Sequence, residues 1–164
     1  MISKAVQEAI NEQINKELFS SYLYLAMSAH FEENNLPGFA TWMRVQAAEE
    51  KEHGMKFYEH LLERGGHVEL KAIAAPMTGW KTSLEAFQEV QAHEAKVTAS
   101  INALYELALK EKDYPAQVLL QWFITEQVEE EKNAAEIVHQ LEMVDAHGTA
   151  VLMLDHRLGK RNSE

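Results

Sequence analysis

Hydrophobic residues recur every three or four positions through most of the chain, which is the spacing of helices that bury one face. The segments that carry this pattern are rich in Ala, Leu, Glu, Gln and Lys, which favour helices. The pattern predicts four long helices, at about 3–33, 38–64, 83–112 and 115–145, and a short fifth helix at about 148–158. Apolar and polar residues do not alternate with a period of two in any segment, so we predict no strands.

The breaks between these segments predict how the helices are connected. The turn-forming stretches "NNLPG" at 34–38, "KDYPA" at 112–116 and "HGTA" at 147–150 are short links, which place neighbouring helices antiparallel. The stretch at 65–82 is long enough to cross the bundle, so that the second and third helices run parallel. The sequence therefore predicts a single all-α domain over residues 1–164: a four-helix bundle with one long crossover and a short fifth C-terminal helix.

Each long helix carries one glutamate on its apolar stripe, close to the middle of the segment. These residues are Glu17, Glu50, Glu94 and Glu130, and His53 lies one helical turn from Glu50 on the same face. A single glutamate at the edge of a stripe usually turns its carboxylate to water, and a single histidine on such a face is more often structural than a ligand. Four glutamates at matching depth indicate instead that they meet inside the bundle.

Four buried carboxylates need a compensating charge. One unpaired buried carboxylate costs on the order of several kcal/mol, so four would rival the whole stability of a domain, about 5–15 kcal/mol. The stripes contain no lysine or arginine, so the carboxyl groups must either share protons or hold cations. Two divalent ions would balance four charges, and oxygen ligands with one imidazole suit iron or manganese and also accept zinc. The residues favour a dinuclear metal site over a metal-free bundle.

Composition narrows the remaining possibilities. The chain has 164 residues and a net charge of −11, which argues against a nucleic-acid partner and favours cations. It has no cysteine, which excludes disulfides, thiolate zinc sites, iron–sulfur clusters and cysteine nucleophiles. The N-terminal segment lacks the apolar core of a signal peptide, and no apolar run approaches the ~20 residues that span a membrane. We therefore predict a cytoplasmic protein without a membrane partner.

Four pieces of the sequence resemble one known family. They are "NKELFSSYLYLAM", "AAEEKEHGMKFYEHLLERGG", "HE" at 93–94 and "WFITEQVEEE", and they occur in the order and spacing of the bacterial non-haem ferritins. The resemblance covers essentially the full chain. It implies a single ferritin-like diiron domain with the bundle fold predicted above, and a subunit that assembles into a hollow homo-oligomeric cage of 24 copies. It also implies an iron storage protein with ferroxidase activity, which oxidises iron(II) with dioxygen or hydrogen peroxide and stores the iron(III) mineral.

The resemblance assigns roles to the stripe residues. Glu17, Glu50 and His53 would ligate the first iron. Glu50 would bridge to the second iron, which Glu94 and Glu130 would also ligate. These five residues would form the catalytic diiron centre.

Further residues are implied by the same resemblance. Gln127 would lie beside the second iron, and Tyr24 would lie close to the diiron centre, where it hydrogen-bonds a ligand or supplies an electron. A third iron site would use Glu49, Glu126, Glu129 and Glu130.

Differences from related families sharpen this interpretation. Bacterioferritins repeat Glu-x-x-His on the fourth helix, whereas Asn133 stands three residues after Glu130, and residues 51–53 (Lys-Glu-His) lack the haem-binding methionine, so no haem is expected. Rubrerythrin-like proteins usually add a cysteine-rich iron domain, which this chain lacks. Two alternatives stay open: a rubrerythrin-like diiron peroxidase or oxidase without storage, and a metal-free structural bundle. The short fifth helix is expected to pack against its own copies around a cage axis, rather than only to cover one end of its bundle.

Overall fold

The structure, a computed structural model, describes residues 2–144 and 148–161. The described residues form helices and connections without strands, and none of these helices has an apolar stretch long enough to cross a membrane. The helices are α1 (Lys4–Glu33), α2 (Pro37–Glu63), α3 (Ser83–Lys110), α4 (Tyr114–Val144) and α5 (Gly148–Leu158). The all-α prediction with a short fifth helix is confirmed, and the helix ends lie within two residues of the predicted ones. His147, in the predicted break, lies outside the described residues.

Local signals in the sequence begin and end the helices. Ser3 and Thr82 cap the starts of α1 and α3, where their side chains accept hydrogen bonds from backbone N–H groups in the first turn. Helices α1, α2 and α3 each end two residues before a residue with positive φ. These residues are Asn35, Gly65 and Lys112. The residue after each of these donates its N–H to the carbonyl five positions earlier, at 2.8–2.9 Å, which satisfies part of the exposed helix end.

The long crossover runs along α1. The backbone N–H of His67 donates to Gln7 Oε1 at 2.8 Å, and that of Glu69 donates to Asn11 Oδ1 at 2.8 Å. The buried side chain of Asn11 in turn donates to the carbonyl of His67 at 2.9 Å. Because later crossover residues meet later α1 residues, this segment runs in the same direction as α1.

The crossover thereby makes α2 and α3 parallel, as predicted. Phe39 at the start of α2 and Phe87 at the start of α3 both contact Phe31 at the end of α1, with ring centroids 5.3 and 5.8 Å away. The two helices therefore begin at the same end of the bundle. Each of them pairs with an antiparallel neighbour, α2 with α1 and α3 with α4.

The apolar core falls into two clusters. One is centred on Phe31, Phe39 and Phe87, and the other contains the stacked rings of Phe57 and Phe123, whose centroids are 4.1 Å apart. Along each long helix, the stripe glutamate lies between residues of the first cluster and residues of the second. The bundle therefore has a polar layer across its middle, with hydrophobic packing above and below it.

The short helix α5 packs on the start of α2 through Asp155. Asp155 is buried, and its Oδ1 accepts a hydrogen bond from the backbone N–H of Phe39 at 2.8 Å. The N-cap residue of α2, Leu36, has no side-chain oxygen to accept such a bond, so α5 supplies the cap. Gly38 allows this approach, since a Cβ there would lie 1.8 Å from the carbonyl oxygen of Asp155.

This tertiary cap predicts a stability effect. Asp155→Ala should lower the free energy of unfolding by about 1–2 kcal/mol, because the buried N–H of Phe39 loses its acceptor. Asp155→Asn keeps an acceptor oxygen and should retain most of the stability, while His156→Ala on the exposed side of α5 is the matched control. Urea unfolding followed by circular dichroism measures the difference. Equal midpoints for Asp155→Ala and the wild type would show that the cap contributes nothing.

Candidate metal centre

The polar layer consists of side chains that are almost entirely shielded from solvent. Each is at most 5 % exposed, and together they are Glu17, Gln46, Glu50, His53, Glu94, Gln127 and Glu130. The four stripe glutamates and His53 are thus buried as the hydrophobic pattern predicted. Gln46 was not identified from the sequence, although it lies one turn before Glu50 on the same face of α2 and an extended stripe would have included it.

The first group of potential ligands joins α1 and α2. One ligand atom from each of Glu17, Glu50 and His53 lies within 4.8 Å of the others. His53 Nδ1 is 3.3 Å from Glu50 Oε2, which is the outcome expected from their three-residue spacing. Glu17 Oε1 accepts a hydrogen bond from Gln13 Nε2 at 2.8 Å, but Glu17 Oε2 is buried with no hydrogen-bond partner among the described residues. A buried carboxylate oxygen without a donor is a position that a cation would fill.

The second group joins α2 and α4. One ligand atom from each of His53, Glu126 and Glu130 lies within 4.8 Å of the others. Gln46 connects this group to the first, because its Nε2 donates to Glu130 Oε2 at 2.8 Å and to Glu50 Oε1 at 3.2 Å. The amide therefore holds two acidic side chains of different helices at one level of the bundle.

Glu94 completes the layer from α3. The hydroxyl of Tyr24 donates to Glu94 Oε1, and Gln127 Nε2 donates to Glu94 Oε2 at 3.2 Å. Gln127 also donates to the hydroxyl of Thr98 at 3.2 Å. Tyr24 and Gln127 therefore both donate to the Glu94 carboxylate. The resemblance had implied that both residues lie close to the metal centre.

The residues expected to form a third site are only partly assembled. Glu126 is half-buried, with its Oε1 3.9 Å from His53 Nε2. Glu129 is exposed, and Glu49 forms an ion pair with Arg161. Neither Glu49 nor Glu129 belongs to a ligand group within 4.8 Å in the described part of the chain. Arg161, from the segment after α5, was not foreseen, because nothing in the sequence pattern links it to α2.

The buried carboxyl groups hold protons more tightly than usual. Burial, and next the carboxylate of Glu50, raise the pKa of Glu17 to about 8. Burial, and next Glu94, raise the pKa of Glu130 to about 7. Burial also raises the pKa of Glu94, and it raises the pKa of Glu50 well above its usual range together with its acidic neighbours. Without metal, the layer therefore keeps protons at neutral pH, and a bound cation would displace them.

Comparisons with known proteins show the family to which the chain belongs. Residues 7–144 match the Ferritin family, described as a ferritin-like domain. A protein named bacterial non-heme ferritin from Bacteroides fragilis is 42% identical over 161 residues, covering 98% of this chain and 100% of the relative. A protein of the same name from Campylobacter jejuni is 39% identical, covering 94% of this chain and 93% of the relative.

A solved structure supports the fold assignment. An open-pore ferritin from the archaeon Archaeoglobus fulgidus superposes with a TM-score of 0.98 at 44% identity, covering 99% of this chain and 100% of that chain. The bundle with one long crossover predicted from the helix pattern, and the ferritin-like fold implied by the resemblance, are both confirmed. By its sequence match, its relatives and its fold, this chain belongs to the ferritin family, and the two relatives described above are named bacterial non-heme ferritins.

Proposed function

We propose that this protein stores iron and oxidises iron(II) at a dinuclear centre in the polar layer. Membership of the ferritin family supports iron storage. The observation that carries the ferroxidase proposal is the buried Oε2 of Glu17, to which no amide or hydroxyl group of the described residues donates a hydrogen bond, in a side chain grouped with Glu50 and His53. A layer built only for stability would give that oxygen a donor.

The substrate ions would divide the layer between them. Glu17, Glu50 and His53 would bind the first iron(II), using the ligand atoms that already lie within 4.8 Å of one another. Glu50 would bridge to the second iron(II), together with Glu94 and Glu130. To receive it, Gln46 must release Glu50 and Glu130, so binding exchanges amide hydrogen bonds for metal–oxygen bonds.

The proposed reaction balances with either oxidant. Two iron(II) ions each lose one electron, and dioxygen accepts both electrons and two protons to give hydrogen peroxide. With hydrogen peroxide as the oxidant, the same two electrons and two protons yield two waters. Carboxylate ligands favour the product, because iron(III) has the higher charge and prefers anionic oxygen.

The two ion positions differ in their ligands. His53 is assigned to the first ion, and Asn133 occupies the position where a second Glu-x-x-His pair would give the second ion an imidazole of its own. We therefore expect the second ion to bind more weakly and to leave more readily after oxidation, which suits transfer to a mineral. Tyr24, hydrogen-bonded to Glu94, would orient that ligand. The third iron site and a cytoplasmic location stay predictions.

Particle size and iron retention together test the proposal. The assembled protein should elute as a particle of 24 subunits and retain iron after oxygen-coupled oxidation and desalting. Glu130→Ala is the variant to compare, because it should assemble but oxidise iron(II) more slowly. A small dimer that oxidises iron(II) without retaining it would contradict storage and favour a rubrerythrin-like oxidase or peroxidase. No oxidation by any sample would favour a structural bundle.

A further inference from the structure

Arg161 is held in a cradle on α2 that leads to the metal centre. Its Nη1 donates to Gln46 Oε1 at 2.7 Å, and its Nη2 forms an ion pair with Glu49. Its guanidinium carbon lies 4.6 Å from the ring centroid of Trp42. Trp42, Gln46 and Glu49 are four and three residues apart, so they line one face of α2 and form what we call the Arg161 cradle.

The cradle connects a surface cation to the buried layer through one amide. Because Arg161 donates to the Gln46 oxygen, the Gln46 nitrogen must point the other way, where it donates to Glu50 and Glu130. Only about a fifth of the Arg161 side chain is exposed, so its charge is poorly screened by water. The same charge lies close enough to Glu130 to offset part of the rise in that carboxyl's pKa.

Glu49 is the point of competition. It is one of the acidic residues expected around a third iron, yet its carboxylate is engaged by Arg161. Binding a guanidinium and a metal ion to this carboxylate at the same time costs free energy, because two cations a few ångströms apart repel each other. Helix α5 keeps Arg161 in place, since the buried Asp155 anchors α5 to the start of α2.

We infer that Arg161 is a built-in counter-cation that closes the third cation site, so that a metal ion reaches Glu49 only after Arg161 has left its cradle. This inference rests on the proposed diiron function. Arg161 is here a positioning residue: it contacts Gln46 and Glu49 and acts on the centre through them. Glu49 and Glu129 lie outside any group of ligand atoms among the described residues because the third site is closed in this structure.

Zinc titration of the assembled, metal-free protein provides the test, because zinc binds such ligands without being oxidised. Arg161→Gln should raise the affinity for a third zinc per subunit by ~tenfold, since a charge-assisted ion pair no longer competes. Arg157→Gln is the matched control, because Arg157 on α5 donates to Gln140 rather than to the cradle. It should titrate like the wild type in isothermal calorimetry.

Crystals of the wild type soaked at high zinc give a second readout, which stands even if Arg161→Gln does not assemble. Anomalous scattering should show zinc beside Glu49 only where the Arg161 side chain has moved out of its cradle. Zinc bound by Glu49 with Arg161 still paired to it, or equal third-zinc affinities in both variants, would overturn the inference alone. Absence of zinc from the Glu17, Glu50 and His53 group would overturn the proposed function as well.

Discussion

Glu50→Gln should lower the initial rate of oxygen-coupled iron(II) oxidation by at least ~100-fold, because a ligand shared by both ions loses its charge. Glu50 is fully buried and contacts both parts of the layer: it lies against His53 and accepts a hydrogen bond from Gln46, which also holds Glu130. A neutral amide is a poor ligand for iron and cannot bridge two cations as a carboxylate does. Stopped-flow absorbance at two iron(II) ions per subunit measures the rate.

The same substitution should not destabilise the metal-free protein. Burial and neighbouring acids raise the pKa of Glu50 well above its usual range, so the folded protein favours the uncharged carboxyl, which glutamine replaces with nearly the same shape. Loss of rate with an unchanged unfolding midpoint therefore separates a ligand from a packing residue. Glu52→Gln, on the exposed side of α2, makes the identical chemical change and should keep the wild-type rate. A wild-type rate in Glu50→Gln would refute the dinuclear assignment.

The stripe glutamates were predictable because their helical neighbours are apolar. Glu94 lies between Val90 and Val97, both of which are buried, so its own burial follows from the helical period. The same period, together with the turn-forming breaks, fixed the helix ends to within two residues. Local spacing was sufficient here, since each inference depended on residues of a single helix.

Contacts between distant segments could not be read in this way. Arg161 meets Gln46 across 115 positions and Asp155 meets Phe39 across 116, and no periodic pattern links either pair. The apolar stripes of the helices hold no lysine or arginine. The positive charge that partly offsets the acidic layer belongs instead to Arg161, in the segment after α5. Such a contact depends on where the bundle places its ends, and that is set by packing rather than by local propensity.

The stability of the metal-free protein should fall as pH rises from about 5 to 8. Glu17 has a pKa of about 8 and Glu130 a pKa of about 7 in the folded protein, whereas a glutamate of the unfolded chain has its ordinary pKa of 4.5. At a pH between the unfolded pKa and the folded pKa of each group, the folded protein holds a proton that the unfolded chain has released. Raising the pH through this range therefore favours unfolding. The contribution of these two bound protons to stability is complete below about pH 4.5 and is lost once the pH passes 8.

Thermal unfolding across this window, with and without zinc, tests the linkage. Glu17→Gln cannot titrate at that position, so its midpoint should fall less between pH 5 and 8 than that of the wild type, whereas Glu52→Gln should follow the wild type. With zinc bound, the trend should reverse, because the metal needs the deprotonated carboxylates and binds better as pH rises. A metal-free profile that is flat, or that rises through this window, would mean that these carboxyls are solvated. The cost of burying four acids would then be absent, and with it the physical reason for placing cations between them.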